Sequence, residues 1–503
     1  MLQADLFHAE PQLSAKALVR PTGDAGGATE SDTEGEAYSA AVSPAARRAE
    51  GITFTPSWLV DRMCERAGTL GNFDTIVDAG AGSGRFAFAA LERFPQARVI
   101  AVERNAELAS VLRERAAREG LHKRLHVIEG DFRDALLPLA GRTLFIGNPP
   151  YVRHHDIAVA WKDWYRAGMA QQGIAASQLA GLHAHFLLRA TQVMRPGDAW
   201  CFVTAAEWLD NGYGCALRQL LGAPGRAGLQ GVWLAPADEP VFPDALVSAV
   251  VVEGVAGSEP ALVTLGRIVA RRFEPTRQLD SGTVAHSGRW SPLCQPAPMP
   301  SLAGIELGAL FRVTRGQVTG MNAAWVLPDD APDAWRALAV PAVTKAREII
   351  DGTVQAADAR QRLRRVVDLP RELAALDEAQ RSAADQLIER ARHVGAHETY
   401  IARQRTPWFA VSMREPPQAF VSYMGRRPPV FAPNPQRVSF LNIAHGLYPR
   451  EPVTQADLLR VLDHLNRHTG LYSGRVYGGG LAKFEPSDIA RLRLPASVWE
   501  AAT

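Results

Sequence analysis

The chain has 503 residues, 47% of them apolar, with 55 Lys and Arg against 53 Asp and Glu for a formal net charge of +2. That length and apolar content can build two or more domains with proper cores and exclude the sparse, highly charged class that stays unfolded. Four cysteines (Cys64, Cys201, Cys215, Cys294) with no CxxC pair and no histidine at ligand spacing argue against a disulfide framework or a structural zinc site, so no metal is expected.

Residues 1–48 are rich in Ala, Gly, Ser, Thr, Pro and acids, with few branched apolar side chains. Such a segment cannot offset the entropy of ordering, which predicts a disordered acidic tail. Asp5, His8 and Glu10 fall where a signal peptide needs an apolar core, and no run approaches the roughly 18 apolar residues of a membrane span, so no membrane partner is expected. From Gly51 the texture changes. Pro56 to Thr69 places Leu59, Met63 and Ala67 on one helical face. Strands are then predicted at Thr75 to Asp78, Arg98 to Val102, Leu125 to Ile128, Thr143 to Ile146, Ala199 to Thr204 and Val247 to Glu253. Helices are predicted at Phe86 to Arg93, Ala106 to Glu119 and Leu182 to Met194. Strands alternating with helices mean an α/β, doubly wound, mostly parallel sheet over residues 49–255. After Gly254 the alternation is lost, and residues 256–503 are expected to form a separate mixed α/β domain. Within it, the densely charged stretch near 356–396 reads as a solvent-facing pair of helices.

Charge divides unevenly between these parts. Residues 1–255 hold 24 basic and 29 acidic side chains, net −5, and residues 256–503 hold 31 and 24, net +7. The basic half can be a solvated surface or a face for a polyanion.

Chemistry concentrates after the first strand. Val77-Asp78-Ala79-Gly80-Ala81-Gly82-Ser83-Gly84 closes that strand and opens a helix, and Glu103 follows 23 residues after Gly80, at the end of the next strand, where a carboxylate can accept both hydroxyls of a ribose. A dinucleotide fold needs GxGxxG, and the third glycine here comes one residue early. The DxGxGxG form instead resembles motif I of the S-adenosylmethionine (SAM) methyltransferases. Gly130-Asp131-Phe132, after the third strand, adds a carboxylate placed to accept from the cofactor's adenine amino group, although a helix N-cap accounts for Asp131 equally well.

After the fourth strand stands Asn148-Pro149-Pro150-Tyr151. An exocyclic amine conjugated to a ring or carbonyl is a poor nucleophile. An amide oxygen and a proline carbonyl that accept its hydrogens would draw the nitrogen toward tetrahedral geometry, and two prolines stiffen the loop that holds them. Tyr151 offers a flat face to a planar substrate. The tetrapeptide resembles the (N/D)PP(Y/F) motif of amino-group methyltransferases. Gly51-Ile52-Thr53-Phe54-Thr55-Pro56 resembles motif X of the adenine-N6 DNA enzymes, and Val241 to Val251, with Phe242, resembles their motif VIII. This motif order is similar to that of gamma-class adenine-N6 DNA methyltransferases, with a seven-stranded class I SAM-methyltransferase fold and a target-recognition domain last. The resemblance implies a cofactor set of Thr55, Asp78, Gly80, Gly82, Gly84, Glu103, Asp131, Phe132 and Asn148. It also implies that Asn148, Pro149 and Tyr151 are catalytic, with Phe242 against the substrate base. It further implies double-stranded DNA as partner, a possible cognate restriction endonuclease, and a cytoplasmic place of action at the nucleoid. RNA and protein-glutamine methyltransferases share NPPY and remain the alternative.

Flipping a base from a duplex costs a few kcal/mol, which contacts to phosphate must offset. Arg403, Arg405, Arg426 and Arg427 are the candidate DNA contacts, with Arg312 and Arg315 beside them; a solvated or structural role is open for each. Ile305 to Gly308 and Tyr477 to Pro486 look like family landmarks in this half, and no segment reads as a fused nuclease.

Overall fold

In the computed structural model, residues 51–236, 239, 241–242, 248–296, 304–477 and 481–499 are described, apart from the side chains of 472, 476 and 477. The expected tail, residues 243–247 of the motif VIII segment and the glycines at 478–480 lie outside the described residues.

The first half forms helix α1 (Ser57–Thr69), β1 (Thr75–Ala79), α2 (Arg85–Arg93), β2 (Arg98–Glu103), α3 (Ala106–Arg118), β3 (Leu125–Glu129) and β4 (Thr143–Gly147). It continues with α4 (Val159–Gln171), α5 (Leu182–Val193), β5 (Ala199–Ala205), α6 (Gly214–Gly222), β6 (Leu229–Leu234) and β7 (Ala249–Val255). β1, β4 and β5 are buried along their whole length, as the unbroken apolar runs of strands covered on both faces require. Strand order in the sheet is β3-β2-β1-β4-β5-β7-β6, with β7 antiparallel to both neighbours and the first five strands parallel. The order reverses between β1 and β4, so a crevice opens beyond their carboxyl ends, the position at which open α/β sheets bind ligands.

The sheet does not stop at seven strands or at residue 255. β8 (Leu262–Val269) pairs parallel with β6, and β9 (Arg272–Asp280) pairs antiparallel with β8, giving nine strands. β9 is mostly exposed and carries Arg272, Glu274, Pro275 and Arg277, residues that discourage pairing at an open edge. The turn into it is made by Ala270 and Arg271, both at positive φ (47° and 60°).

Beyond the sheet, an antiparallel four-stranded sheet of Phe311–Arg315, Ala444–Pro449, Ala419–Ser422 and Phe431–Pro433 packs against α8 (Gln455–His468) through Leu458, Val461, Leu462 and Leu465. The charged stretch expected to be a helical pair holds one long helix, α7 (Glu378–His393), preceded by a single helical turn, Ala359–Arg362, and a strand, Arg365–Val367, that pairs with Ala339–Val343. α7 is amphipathic rather than solvated all round. Ala383, Ala384, Leu387, Ile388 and Ala391 are buried in a core with Trp325 and Leu338. Arg289 ties the two halves together, donating to Asp210 from one side and to the Ser473 carbonyl (2.9 Å) from the other. Among the described residues no helix is long and apolar enough to cross a membrane.

Candidate active site

The crevice at the carboxyl ends of β1 to β4 is a cleft of about 870 Å³ including its open mouth. Its walls come from the segment before α1 (Gly51 to Thr55), the glycine loop (Gly80 to Ser83), the end of β2 (Glu103 to Asn105), Gly130 to Phe132, Asn148 and Pro150, and Leu182 and Phe186 of α5. The structure therefore brings Thr55, Gly80, Gly82, Glu103, Asp131, Phe132 and Asn148 together from five separate segments.

Glu103 is the hinge of this arrangement. One carboxylate oxygen accepts from Gly82 N–H at 2.8 Å and the other from Asn105 N–H at 2.7 Å, which locks the glycine loop to the end of β2. With about four acceptor positions, the carboxylate keeps room for a further donor. Burial raises the Glu103 carboxyl above its ordinary range, against the opposing pull of those N–H groups. Gly80 sits at φ 79°, in the left-handed region that favours glycine, and its bare backbone lines the cleft.

Two expected cofactor residues do not line the cleft. Asp78 is 1% exposed beneath the loop, where one oxygen accepts from Ala87 N–H (3.0 Å) inside α2 and the other has no partner; burial pushes its carboxyl up to about 8, only partly opposed by that N–H. Gly84, at φ 90°, is the N-cap of α2, and a Cβ there would meet Leu112 at 2.3 Å and Phe88 at 2.9 Å. Both hold the loop in shape from behind.

Asn148 is held by its nitrogen. Nδ2 donates to the Thr53 carbonyl (3.0 Å) and to Thr55 Oγ1 (3.1 Å), whereas Oδ1 is buried with no hydrogen-bond partner. Thr55 is in turn fixed by Arg85, whose guanidinium donates to the Thr55 carbonyl and lies over the Phe54 ring. The result is an oriented acceptor without a donor. Pro149 is buried, and Tyr151 packs edge-to-face on Phe242 with ring centroids 6.1 Å apart and planes at 86°. Burial raises the Tyr151 hydroxyl far above its usual range, and its oxygen too has no partner. Phe242, 1% exposed, packs directly on Tyr151 and belongs to the core beside Trp233 and Val251.

Asp131 brings a residue the sequence reading missed. Its Oδ1 accepts from the backbone N–H (3.0 Å) and Nε (2.9 Å) of Arg133, and its Oδ2 accepts from Arg133 Nη2. Burial alone would raise this carboxyl; the Arg133 hydrogen bonds outweigh it and hold Asp131 below the usual carboxylate range. An arginine directly after Gly130-Asp131-Phe132 was the only available signal.

The basic candidates separate. Arg403, Arg426 and Arg427 are exposed. Arg405 is not a surface contact: half-buried, it donates to the Thr319 carbonyl (2.9 Å) and to that of Val318. Arg315 pairs with Glu485, and exposed Arg312 lies over the Tyr448 ring at 4.5 Å.

Known proteins resemble the chain in both halves. Residues 301–503 match the family described as Type II methyltransferase M.Eco57I, C-terminal domain; residues 143–223 match Eco57I restriction-modification methylase, and residues 76–167 match a methyltransferase domain. The Type II methyltransferase M.XamI of Xanthomonas campestris pv. amaranthicola is 40% identical over 457 residues, covering 89% of this chain and 85% of that protein. A release factor glutamine methyltransferase of Burkholderia pseudomallei is 32% identical over 170 residues, 31% of this chain and 54% of its own. Among solved structures, the Type IIL restriction-modification enzyme MmeI in complex with DNA aligns with a TM-score of 0.56 at 12% identity, over 92% of this chain and 69% of that one, a likeness of fold. A cleft with a loop-locking glutamate and an oriented asparagine fits the SAM site expected at these motifs. With M.XamI matched over nearly the whole length, the chain belongs to the type II restriction-modification DNA methyltransferases, and its methyl donor is S-adenosylmethionine.

Proposed function

We propose that the protein methylates N6 of adenine in double-stranded DNA, on a base turned out of the duplex, as the modification partner of a cognate restriction endonuclease at the nucleoid. The observation that carries this reading is Asn148, whose amide is fixed through Nδ2 so that Oδ1 is left as a buried acceptor with nothing to accept. An exocyclic NH2 is the donor such an acceptor calls for. When bound, SAM supplies an electrophilic methyl on a sulfonium. The chain's own residues do the rest. Asn148 Oδ1 and the Pro149 carbonyl accept the two amine hydrogens, localise the lone pair on nitrogen and stabilise the positive charge that develops there. Tyr151 supplies an aromatic wall for the purine, with Phe242 packed edge-to-face against it. Glu103 takes the ribose hydroxyls with its remaining lone pairs, and Asp131 takes the amino group of the cofactor's adenine. The basic C-terminal half, with exposed Arg403, Arg426 and Arg427, contacts phosphate and offsets the cost of unstacking.

Asn148→Ala tests the reading. In single turnover with duplex DNA and labelled SAM, it should cut transfer by about 100-fold or more while SAM binding measured by calorimetry is nearly unchanged. Transfer at the wild-type rate, or label entering only RNA or a release factor when these are offered separately, would overturn it.

A further inference from the structure

The Asp131–Arg133 pair is built in a way that a surface ion pair is not. The Arg133 side chain is 4% exposed, and three of its hydrogen bonds, one from backbone and two from the guanidinium, converge on a single carboxylate. The guanidinium carbon lies 3.8 Å from the centroid of the Trp161 ring on α4, a cation–π contact that fixes its plane. The remaining nitrogen, Nη1, is buried with no hydrogen-bond partner. A guanidinium placed for its own benefit would satisfy that nitrogen; this one is placed to satisfy Asp131. His185, stacked on Tyr165 at 4.6 Å, is kept neutral by burial and by the nearby Arg133, so it offers no competing charge.

A carboxylate has about four acceptor positions. Arg133 fills three, so Asp131 cannot rotate and presents one acceptor direction to the cleft it lines. A protonated or freely turning carboxyl could adapt to a donor or an acceptor; one clamped this way serves a donor only.

Resting on the reading that Asp131 meets the cofactor's purine, we propose that Arg133, held by Trp161, is a positioning residue that makes Asp131 a pure acceptor, and so makes the cleft select a purine carrying a 6-amino group over one carrying a 6-oxo group. This assigns to Arg133 and Trp161, neither of which lines the cleft, control over which nucleoside the cofactor may contain.

The experiment is calorimetric binding of S-adenosylhomocysteine and of its deaminated analogue, S-inosylhomocysteine, to the full chain. The wild type should prefer the adenosyl compound by about tenfold or more, the worth of one good hydrogen bond plus the repulsion of two acceptors. Arg133→Gln should lose most of that preference, and Arg133→Lys, which keeps the charge but not the fork, should fall between. A residue that merely supports the fold would weaken both ligands equally and leave the ratio unchanged, which would overturn the proposal. Trp161→Ala, on a partly exposed position, loosens the clamp without breaking the pair and should lower the ratio about two- to threefold even if Arg133→Gln does not fold; an unchanged ratio in Trp161→Ala overturns the clamp. Asp131→Asn separates the two ideas. If it abolishes the preference while Arg133→Gln retains it, the positioning role fails alone. If Asp131→Asn retains the preference, the contact between Asp131 and the purine fails, and the role of Arg133 with it.

Discussion

Replacing Thr55 by valine keeps the shape of the side chain and removes one of the two acceptors that hold Asn148 Nδ2, leaving only the Thr53 carbonyl. The amide can then swing about its remaining bond, and Oδ1 is no longer fixed where an amine would meet it. Losing one neutral hydrogen bond is worth about 1 kcal/mol, or roughly fivefold in rate if its whole effect is to orient the acceptor in the transition state. Because Thr55 also lines the cofactor cleft, the rate must be read in single turnover at saturating SAM on a preformed complex with DNA. The decisive comparison is a double-mutant cycle. With Asn148→Ala already in place there is no amide left to orient, so Thr55→Val should do nothing further. An equal fall in both backgrounds would show that Thr55 acts independently of Asn148 and would refute the reasoning.

Two further predictions concern charge. Burial sets the Asp78 carboxyl at about 8 in the fold against roughly 3.9 in the unfolded chain, so folding takes up a proton; the stabilisation is complete at low pH and is lost as pH rises through about 8. The melting temperature of the wild type should therefore fall relative to Asp78→Asn between pH 6 and pH 9, and parallel curves would contradict the assignment. In the basic half, Arg405→Ala should destabilise by about 1–3 kcal/mol by stripping two carbonyls of their donor, with little change in the salt dependence of DNA binding. Arg427→Ala should do the reverse, leaving stability alone and reducing the salt slope by about 1. Chemical unfolding and binding titrations across salt concentrations distinguish the two.

Much of the catalytic half could be read from the sequence because its strands are continuous apolar runs and its loops follow them at fixed places. Glu103, Asp131 and Asn148 were legible as a set because each closes a successive strand of the parallel sheet. Asp78 and Gly84 were legible as residue types but not as roles, since a loop that binds a ligand and the packing that supports such a loop call for the same residues. The hairpin that extends the sheet was invisible for a local reason. Its turn uses Ala270 and Arg271 at positive φ, where a sequence reading looks for asparagine and glycine. The three-residue strand Arg365–Val367 is too short to interrupt a pattern read as helical. Arg405 misled because the carbonyl it serves lies 86 residues away in the chain, and no local pattern distinguishes such a tether from a phosphate contact.

In the proposed function the oriented acceptor at Asn148 serves the 6-amino group of adenine in duplex DNA. Digesting DNA methylated by the purified protein to nucleosides, and identifying the product by mass against standards, tests it directly. N6-methyldeoxyadenosine from the wild type, and its absence with Asn148→Ala, is the predicted result. A methylated cytosine, or methyl label that never enters DNA, would contradict it.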